Sequence, residues 1–280
     1  MPDRLLLVRP PALGAALALA VQRACARRIA VAGRDIPLLD ARLACGDFDS
    51  VRVLLGAAFP DPALPLFVAR YAMWTGDLQS AAGAWAAVLA SLDLTAEDPM
   101  SASLRRTASI EIARTATDLG DAPLAARLLG DARNAGPVVG TPGPDPPADA
   151  DPDSMMISDV AFNVLGLEPD AVRGRLRLRP RLDRFAEIEA LNIRFGDGSV
   201  GMSATRERAA IVLRIEQESG AIPMTVLLEP FVDGPVSAEV DGRRADLPPR
   251  STDGGTIVPV QLVLDQVRTL IIHTRPPGDA

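Results

Sequence analysis

Few residue types in this chain are equipped for chemistry. It contains one histidine, His273, and two cysteines, Cys25 and Cys45, with no metal-ligand spacing near them. A Cys/His zinc site is therefore excluded, and a catalytic triad would need His273, which lies in a predicted strand near the chain end. Chemistry must rest on carboxylates, arginine, tyrosine or hydroxyl groups. The sequence accordingly predicts neither a metal nor a cofactor.

Arginines at every second position make residues 173–184 the most basic stretch of the chain. In an extended segment this spacing places the alternating arginines on one face. One interpretation is a solvated strand face or a sheet edge protected by charge. The other is a binding site for an anion or a carbohydrate carboxylate. The arginines of this stretch are Arg173, Arg175, Arg177, Arg179, Arg181 and Arg184.

The overall charge restricts the classes of partner. The net charge of −7 and the isoelectric point near 4.9 argue against nucleic acid and anionic membranes as partners. No apolar run approaches the length of a transmembrane helix. The apolar start resembles a secretory signal, but Arg9-Pro10-Pro11 interrupts it and no small-residue cleavage site follows. We therefore predict a cytoplasmic protein.

Residues 12 to about 135 are predicted to be helical. Leucine and alanine dominate this stretch, and apolar residues recur at intervals of three and four, as in helices with one buried face. Glycine can end one helix in the left-handed conformation, and a following aspartate can cap the next helix. Three such pairs predict a series of αα-hairpins: Gly46-Asp47, Gly76-Asp77 and Gly120-Asp121.

The second half of the chain has a different pattern. Residues 136–152, rich in proline, glycine and aspartate, predict a linker or a long exposed loop, and one more helix follows from Asp153 to Leu167. After Pro169 apolar residues alternate with period two, and turn signals separate the segments, which is typical of an antiparallel β-sandwich. The predicted strands are 174–182, 187–195, 199–206, 209–217, 224–228, 236–240, 256–264 and 267–274.

Two segments resemble the six-hairpin (α/α-toroid) glycosidases, a group that includes glucoamylase-like and glycogen-debranching enzymes. Residues 70–92, RYAMWTGDLQSAAGAWAAVLASL, are similar to a helix-turn-helix in which an aromatic-rich helix ends in W-T-G-D. Residues 159–182, DVAFNVLGLEPDAVRGRLRLRPRL, are similar to the junction between the last toroid helix and the first sandwich strand. The predicted fold class is therefore α+β and multidomain, with a partial α/α-hairpin toroid at 1–168 and an antiparallel β-sandwich at 169–280.

The resemblance implies that a sugar chain binds at the toroid centre and that paired carboxylates hydrolyse a glycosidic bond. A complete toroid has twelve helices and needs about 190 residues, whereas about 160 precede the predicted sandwich. Residues 100–105 lack the acid and aromatic of the family's V-E-x-x-A-L-W phrase. We therefore expect the C-terminal part of such an enzyme, with its catalytic half supplied by another chain or lost.

The candidate catalytic residues are Glu111 and Asp153, and the candidate substrate-binding residues are Tyr71, Trp74 and Asp77. The aromatic pair can form a stacking platform for a sugar, but it also fits the core of an alanine-rich helix. Asp77 fits an N-cap and Asp153 fits a cap or a solvated loop. Glu111 precedes an arginine by three residues, so a surface ion pair is its alternative role.

Three functional hypotheses remain open from the sequence. The first is a carbohydrate-active protein with an oligosaccharide as ligand, either hydrolytic or only sugar-binding. The second is a non-catalytic interaction module built on the helical hairpins. The third is one part of a split enzyme, in which a second copy or a partner chain completes the helical layer.

Overall fold

The computed structural model describes parts of the predicted helical region and nearly all of the β-rich half. The residues that it describes are 7–9, 36–55, 64–91 and 152–274 apart from 208 and 253, together with short helical stretches at 19–20, 23, 108–110, 112–113, 123 and 126. The third predicted Gly-Asp turn lies outside these residues, as does the predicted linker except for Pro152.

Five α-helices have defined bounds in the described residues. They are α1 Ile36–Ala44, α2 Phe48–Leu55, α3 Leu64–Thr75, α4 Leu78–Ser91 and α5 Pro152–Ser158. A π-helical turn, Asp159–Val164, continues α5. The first two predicted Gly-Asp turns are confirmed, because Gly46 and Gly76 have φ values of 78° and 84° and separate α1 from α2 and α3 from α4.

Thirteen strands form the described sheets. They are β1 Leu7–Arg9, β2 Glu168–Asp170, β3 Arg175–Leu178, β4 Glu187–Phe195, β5 Gly198–Arg206, β6 Ala210–Ser219, β7 Met224–Leu228, β8 Pro235–Val240, β9 Arg243–Ala245, β10 Arg250–Thr252, β11 Gly255–Ile257, β12 Val260–Leu264 and β13 Arg268–Thr274. One sheet has the order β1-β4-β5-β6-β13-β8-β9, a second has the order β12-β7-β3-β2, and β10 pairs with β11 alone.

The period-two pattern predicted the main strands of the β-rich half. Each of β4 to β8, β12 and β13 lies at a predicted position, although Val258 and Pro259 divide the predicted strand 256–264 into β11 and β12. The predicted Asp241-Gly242 turn joins β8 to β9 with both φ values positive, 51° and 73°, as a tight hairpin turn requires. Local sequence thus specified these hairpins.

Both large sheets contribute side chains to a single hydrophobic core. Buried residues alternate along their strands, for example Ile211, Leu213 and Ile215 on β6 and Val226 and Leu228 on β7. Because these residues belong to one continuous cluster, the two sheets pack as in a β-sandwich. The sheets are mostly antiparallel, but β3 pairs with β7 in parallel, which the antiparallel prediction did not include.

The predicted α/α-hairpin domain is wrong for the described part of the chain. Its helices are short, strands outnumber them, and no separate hairpin domain is evident. Leu39, Leu43 and Trp74 from α1 and α3 pack into the same core cluster as the sandwich strands. A stripe of apolar residues along a helix indicates only that one face is buried. The sequence pattern therefore did not distinguish packing of a helix on another helix from packing on a sheet. The division between residues 168 and 169 remains a prediction.

The basic stretch forms a shorter strand than predicted. Only Arg175 and Arg177 lie on β3, because Arg173 lies in a 3₁₀ turn before it and Arg179 follows its last residue. None of the helices in the described residues reaches the length and apolarity that crossing a bilayer requires. The cytoplasmic location remains a prediction.

Candidate ligand-binding cavity

The hairpin of α3 and α4 forms one wall of a cavity. At its turn, the amide of Gly76 donates to the carbonyl of Ala72 at 2.8 Å, and Asp77 Oδ1 accepts from the amide of Ser80 at 3.0 Å. Both helices carry buried alanines at their contact, and small side chains permit close approach of the two backbones. Trp85 on α4 packs in this contact, next to Met73 of α3.

The junction after the π-helical turn forms the neighbouring wall. Gly166 takes a left-handed conformation with φ of 60°, which redirects the chain from the helix into β2. The carbonyls of Val164 and Leu165 then accept from the amides of Arg181 and Arg179, each at 2.9 Å. These bonds fix β2 beside β3 and bring Glu168 and Asp170 to the helices.

A cavity of about 540 Å³ lies between these helices and the outward face of the four-stranded sheet. This volume is within the range of small-molecule sites, about 300–1,000 Å³. The helical wall contributes Arg70, Met73, Trp74, Trp85 and Phe162. The junction and the sheet contribute Leu167, Glu168, Pro169, Asp170, Arg173, Arg175, Leu176, Arg177, Thr225, Leu227 and Gln261.

Ion pairs organise most of the charged groups of the cavity. Arg173 donates to both carboxylate oxygens of Asp170, at 3.1 and 3.0 Å. Glu168 accepts from Arg177 and from Arg179, each at 2.7 Å. Behind them the buried Glu229 accepts from Nε of Arg179 at 2.8 Å. The network holds planar guanidinium and carboxylate groups in fixed orientations, which suits recognition of polar ligands.

Some buried nitrogen atoms of the cavity lining have no hydrogen-bond partner within the described part of the chain. They include the indole Nε1 of Trp85 and Nε of Arg177, which lies 3.7 Å from a carboxylate oxygen of Glu229. Buried N–H groups normally find an acceptor, because leaving one unsatisfied costs about 1–3 kcal/mol. The lining therefore contains donors that an acceptor-rich ligand could satisfy.

The two aromatic residues predicted to bind substrate, Trp74 and Tyr71, pack in or against the hydrophobic core. Trp74 lines the cavity, but only 2% of it is exposed, and its ring meets Phe48 edge-to-face with centroids 6.3 Å apart. Tyr71 is half-buried against the same core. Asp77 is exposed and caps α4. Of these three residues only Trp74 contacts the cavity, and the substrate-binding roles stay predictions.

The predicted catalytic pair is not brought together by any described contact. Asp153 lies in the first turn of α5, with its Oδ1 3.7 Å from Nη1 of Arg23, and it does not line the cavity. Glu111 lies outside the described residues. In the residues that the structure describes, no group of three or more histidine, cysteine, aspartate or glutamate side chains is arranged to hold a metal ion.

Sequence reasoning missed most of the cavity lining. Glu168 and Asp170 stand within the junction phrase G-L-E-P-D, and Trp85 lies eight positions after the end of the W-T-G-D turn. Both phrases carried the family resemblance, which indicated that these two segments contribute to a functional site. They gave no sign that the two segments meet, because Trp85 and Glu168 are far apart in sequence.

Tyr71 offers a direct test of its environment, since it is the only tyrosine in the chain. Burial raises the pKa of its phenol, Arg52 opposes this, and Asp49 and Asp77 raise it further. We expect the tyrosinate absorbance of the folded protein to titrate with a midpoint above the ordinary value of about 10. Unfolding in guanidinium should restore the ordinary midpoint.

The raised pKa also has a consequence for stability. The neutral phenol is favoured in the folded state, so its contribution is present below about pH 10 and is lost as the pH rises through the folded pKa. Tyr71→Phe should abolish the absorbance change and remove this loss of stability at high pH. A folded-state midpoint at or below the ordinary value would contradict the half-buried position.

Comparisons with known proteins find structural similarity at low sequence identity. No protein-family model matches the chain, and no curated protein matches it. One similar solved structure is that of an α-L-rhamnosidase from Dictyoglumus thermophilum, with 10% sequence identity and a TM-score of 0.45. The match covers 78% of this chain and 40% of the rhamnosidase. A TM-score this low assigns neither a fold class nor an activity to the chain.

Proposed function

We propose that the protein binds a carbohydrate in the cavity between the α3–α4 hairpin and the four-stranded sheet. The observation that carries the proposal is the composition of the lining, in which indole and apolar surfaces alternate with fixed guanidinium, carboxylate, hydroxyl and amide groups. Sugars present apolar ring faces together with hydroxyls that both donate and accept, so they match such a lining. The glycosidase resemblance of the two segments that form the cavity supports the same ligand class.

The cavity favours binding over hydrolysis. Glycoside hydrolysis needs one carboxyl group to protonate the leaving oxygen and a second to activate water or attack the sugar. The two carboxylates among the described lining residues, Glu168 and Asp170, already accept hydrogen bonds from Arg177, Arg179 and Arg173. We therefore propose a sugar-binding role for this cavity, and hydrolysis through Glu111 and Asp153 remains a separate prediction.

A thermal-shift and calorimetric screen tests the proposal, using neutral and acidic oligosaccharides. A ligand at about one hundred times its dissociation constant adds about 2.7 kcal/mol to the stability of the folded state. We expect at least one saccharide class to raise the melting temperature. Leu227→Trp, which places a large side chain in the cavity, should abolish the shift.

Val263→Trp is the matched control. Val263 is 46% exposed on β12, on the same outward face of the sheet, but does not line the cavity. It should leave saccharide binding intact, and circular dichroism should show both variants folded. No shift with any saccharide would overturn the proposal and favour the interaction-module alternative. Equal binding by both variants would place the sugar elsewhere.

A further inference from the structure

Positive charge predominates in the lining of the cavity. Among the described residues, four arginines line it, Arg70, Arg173, Arg175 and Arg177, against two carboxylates, Glu168 and Asp170. This local excess contrasts with the net charge of −7 for the whole chain. Since the protein repels anions on average, a basic cavity in it creates a local preference for a negatively charged ligand.

Arg175 is an arginine of the lining whose guanidinium is available to bind a ligand. Arg173 and Arg177 are engaged by Asp170 and Glu168. Arg175 is exposed at the start of β3, and within the described residues its guanidinium makes no ion pair or hydrogen bond. Arg175 and Arg177 are two positions apart on one strand, so both side chains project from the same face of the sheet. The guanidinium of Arg175, which has no partner in the described residues, therefore lies beside that of Arg177, which is held by Glu168.

A second and independent feature points to a ligand rich in acceptors. Trp85 is only 6% exposed, it lines the cavity, and its indole Nε1 has no acceptor in the described part of the chain. An indole nitrogen can only donate, and a guanidinium can only donate. Both groups can therefore donate to ligand oxygens, such as those of a carboxylate or a sugar hydroxyl.

We infer that the cavity selects a saccharide that carries a carboxylate, a uronate, and that Arg175 binds the carboxylate. This inference rests on the proposed sugar-binding function and names its ligand class. Arginine recognises a carboxylate through two parallel N–H···O bonds, which a neutral sugar cannot reproduce. The apolar lining and the remaining hydrogen-bonding groups then contact the sugar ring. No bond of the ligand is broken in this process.

Oligogalacturonate and its methyl ester are the probes that test this inference. The two have the same sugar units and linkages, but esterification removes the negative charge. Calorimetric titration of the full chain should show at least tenfold tighter binding of the acid than of the ester. Arg175→Gln should reduce this ratio to about twofold or less. Arg250→Gln, an exposed change on β10 away from the cavity, should preserve the full ratio.

The outcomes separate the inference from the function on which it rests. Equal binding of acid and ester would overturn the uronate selectivity and leave sugar binding standing. A full acid-to-ester ratio in Arg175→Gln would overturn the role of Arg175. Binding of neither probe, nor of any other saccharide, would overturn both. Binding of inorganic sulfate as tightly as of the acid would show a simple anion site and also overturn the inference.

Discussion

Trp74→Ala is expected to lower the free energy of unfolding by about 3–5 kcal/mol, the range for loss of a buried large aromatic side chain. The indole is 2% exposed and joins α3 to the sandwich core. The carbonyl of Trp74 also accepts from the amide of Gly196, at the β4–β5 turn, at 2.6 Å. Urea unfolding followed by circular dichroism would measure the loss without depending on the removed fluorophore.

An exposed substitution provides the reference for this experiment. Val53 on α2 is 73% exposed, so Val53→Ala should change the free energy of unfolding by no more than about 0.5 kcal/mol. A loss below about 1 kcal/mol for Trp74→Ala would contradict its core position. It would instead favour an indole that is free to stack on a sugar.

Gly166→Ala is expected to destabilise the protein by about 2–5 kcal/mol through two additive causes. A left-handed conformation costs an L-residue about 1–2 kcal/mol, and overpacking against a fixed neighbour costs about 1–3 kcal/mol. At Gly166 the new Cβ would lie 2.5 Å from Cβ and 2.9 Å from the backbone oxygen of Arg179. Denaturant unfolding measures the total.

Gly174→Ala separates the two causes. Gly174 has almost the same φ, 61°, but no atom lies within 4 Å of its added Cβ. It should therefore show only the conformational cost, about 1–2 kcal/mol. Equal losses in both variants would mean that Arg179 yields to the new methyl group. In that case the junction would not hold β2 and β3 rigidly beside the cavity.

The two substitutions also differ in their expected effect on binding. Gly166 controls the path into β2, which carries Glu168 and Asp170 into the cavity lining. Gly174 precedes β3 and lines no part of the cavity. Saccharide affinity should thus fall further in Gly166→Ala than in Gly174→Ala, when both are measured well below their unfolding transitions.

Local pattern predicted many of the individual elements. The hairpin strands β4 to β6 are nine or ten residues long, and their bounds agree closely with the prediction. Strands of three residues, such as β2, β9 and β10, were not predicted. A segment of three residues is too short to establish a period, so its pairing partner decides its conformation.

The helical half shows a different limit of the sequence. Gly46 and Gly76 were correctly assigned to helix-ending turns, because a left-handed glycine followed by a capping aspartate is a local signal. α3 packs on α4, but α1 and α3 also share the core with strands, which the prediction of a separate helical domain did not include. The family resemblance suggested a toroid, but no hairpin domain is evident in the described residues.

By itself, the sequence determined the turns, the longer strands, the helix ends and the absence of the residues needed for a Cys/His metal site or an ordinary histidine triad. Only the tertiary structure decided that β3 pairs in parallel with β7 and that Trp85 and Glu168 line one cavity. It also decided that Arg175 has no ion-pair partner among the described residues, whereas Arg173 and Arg177 do. The physical reason is that conformational preferences act between neighbours in sequence, whereas pairing, burial and charge compensation depend on groups that folding brings together.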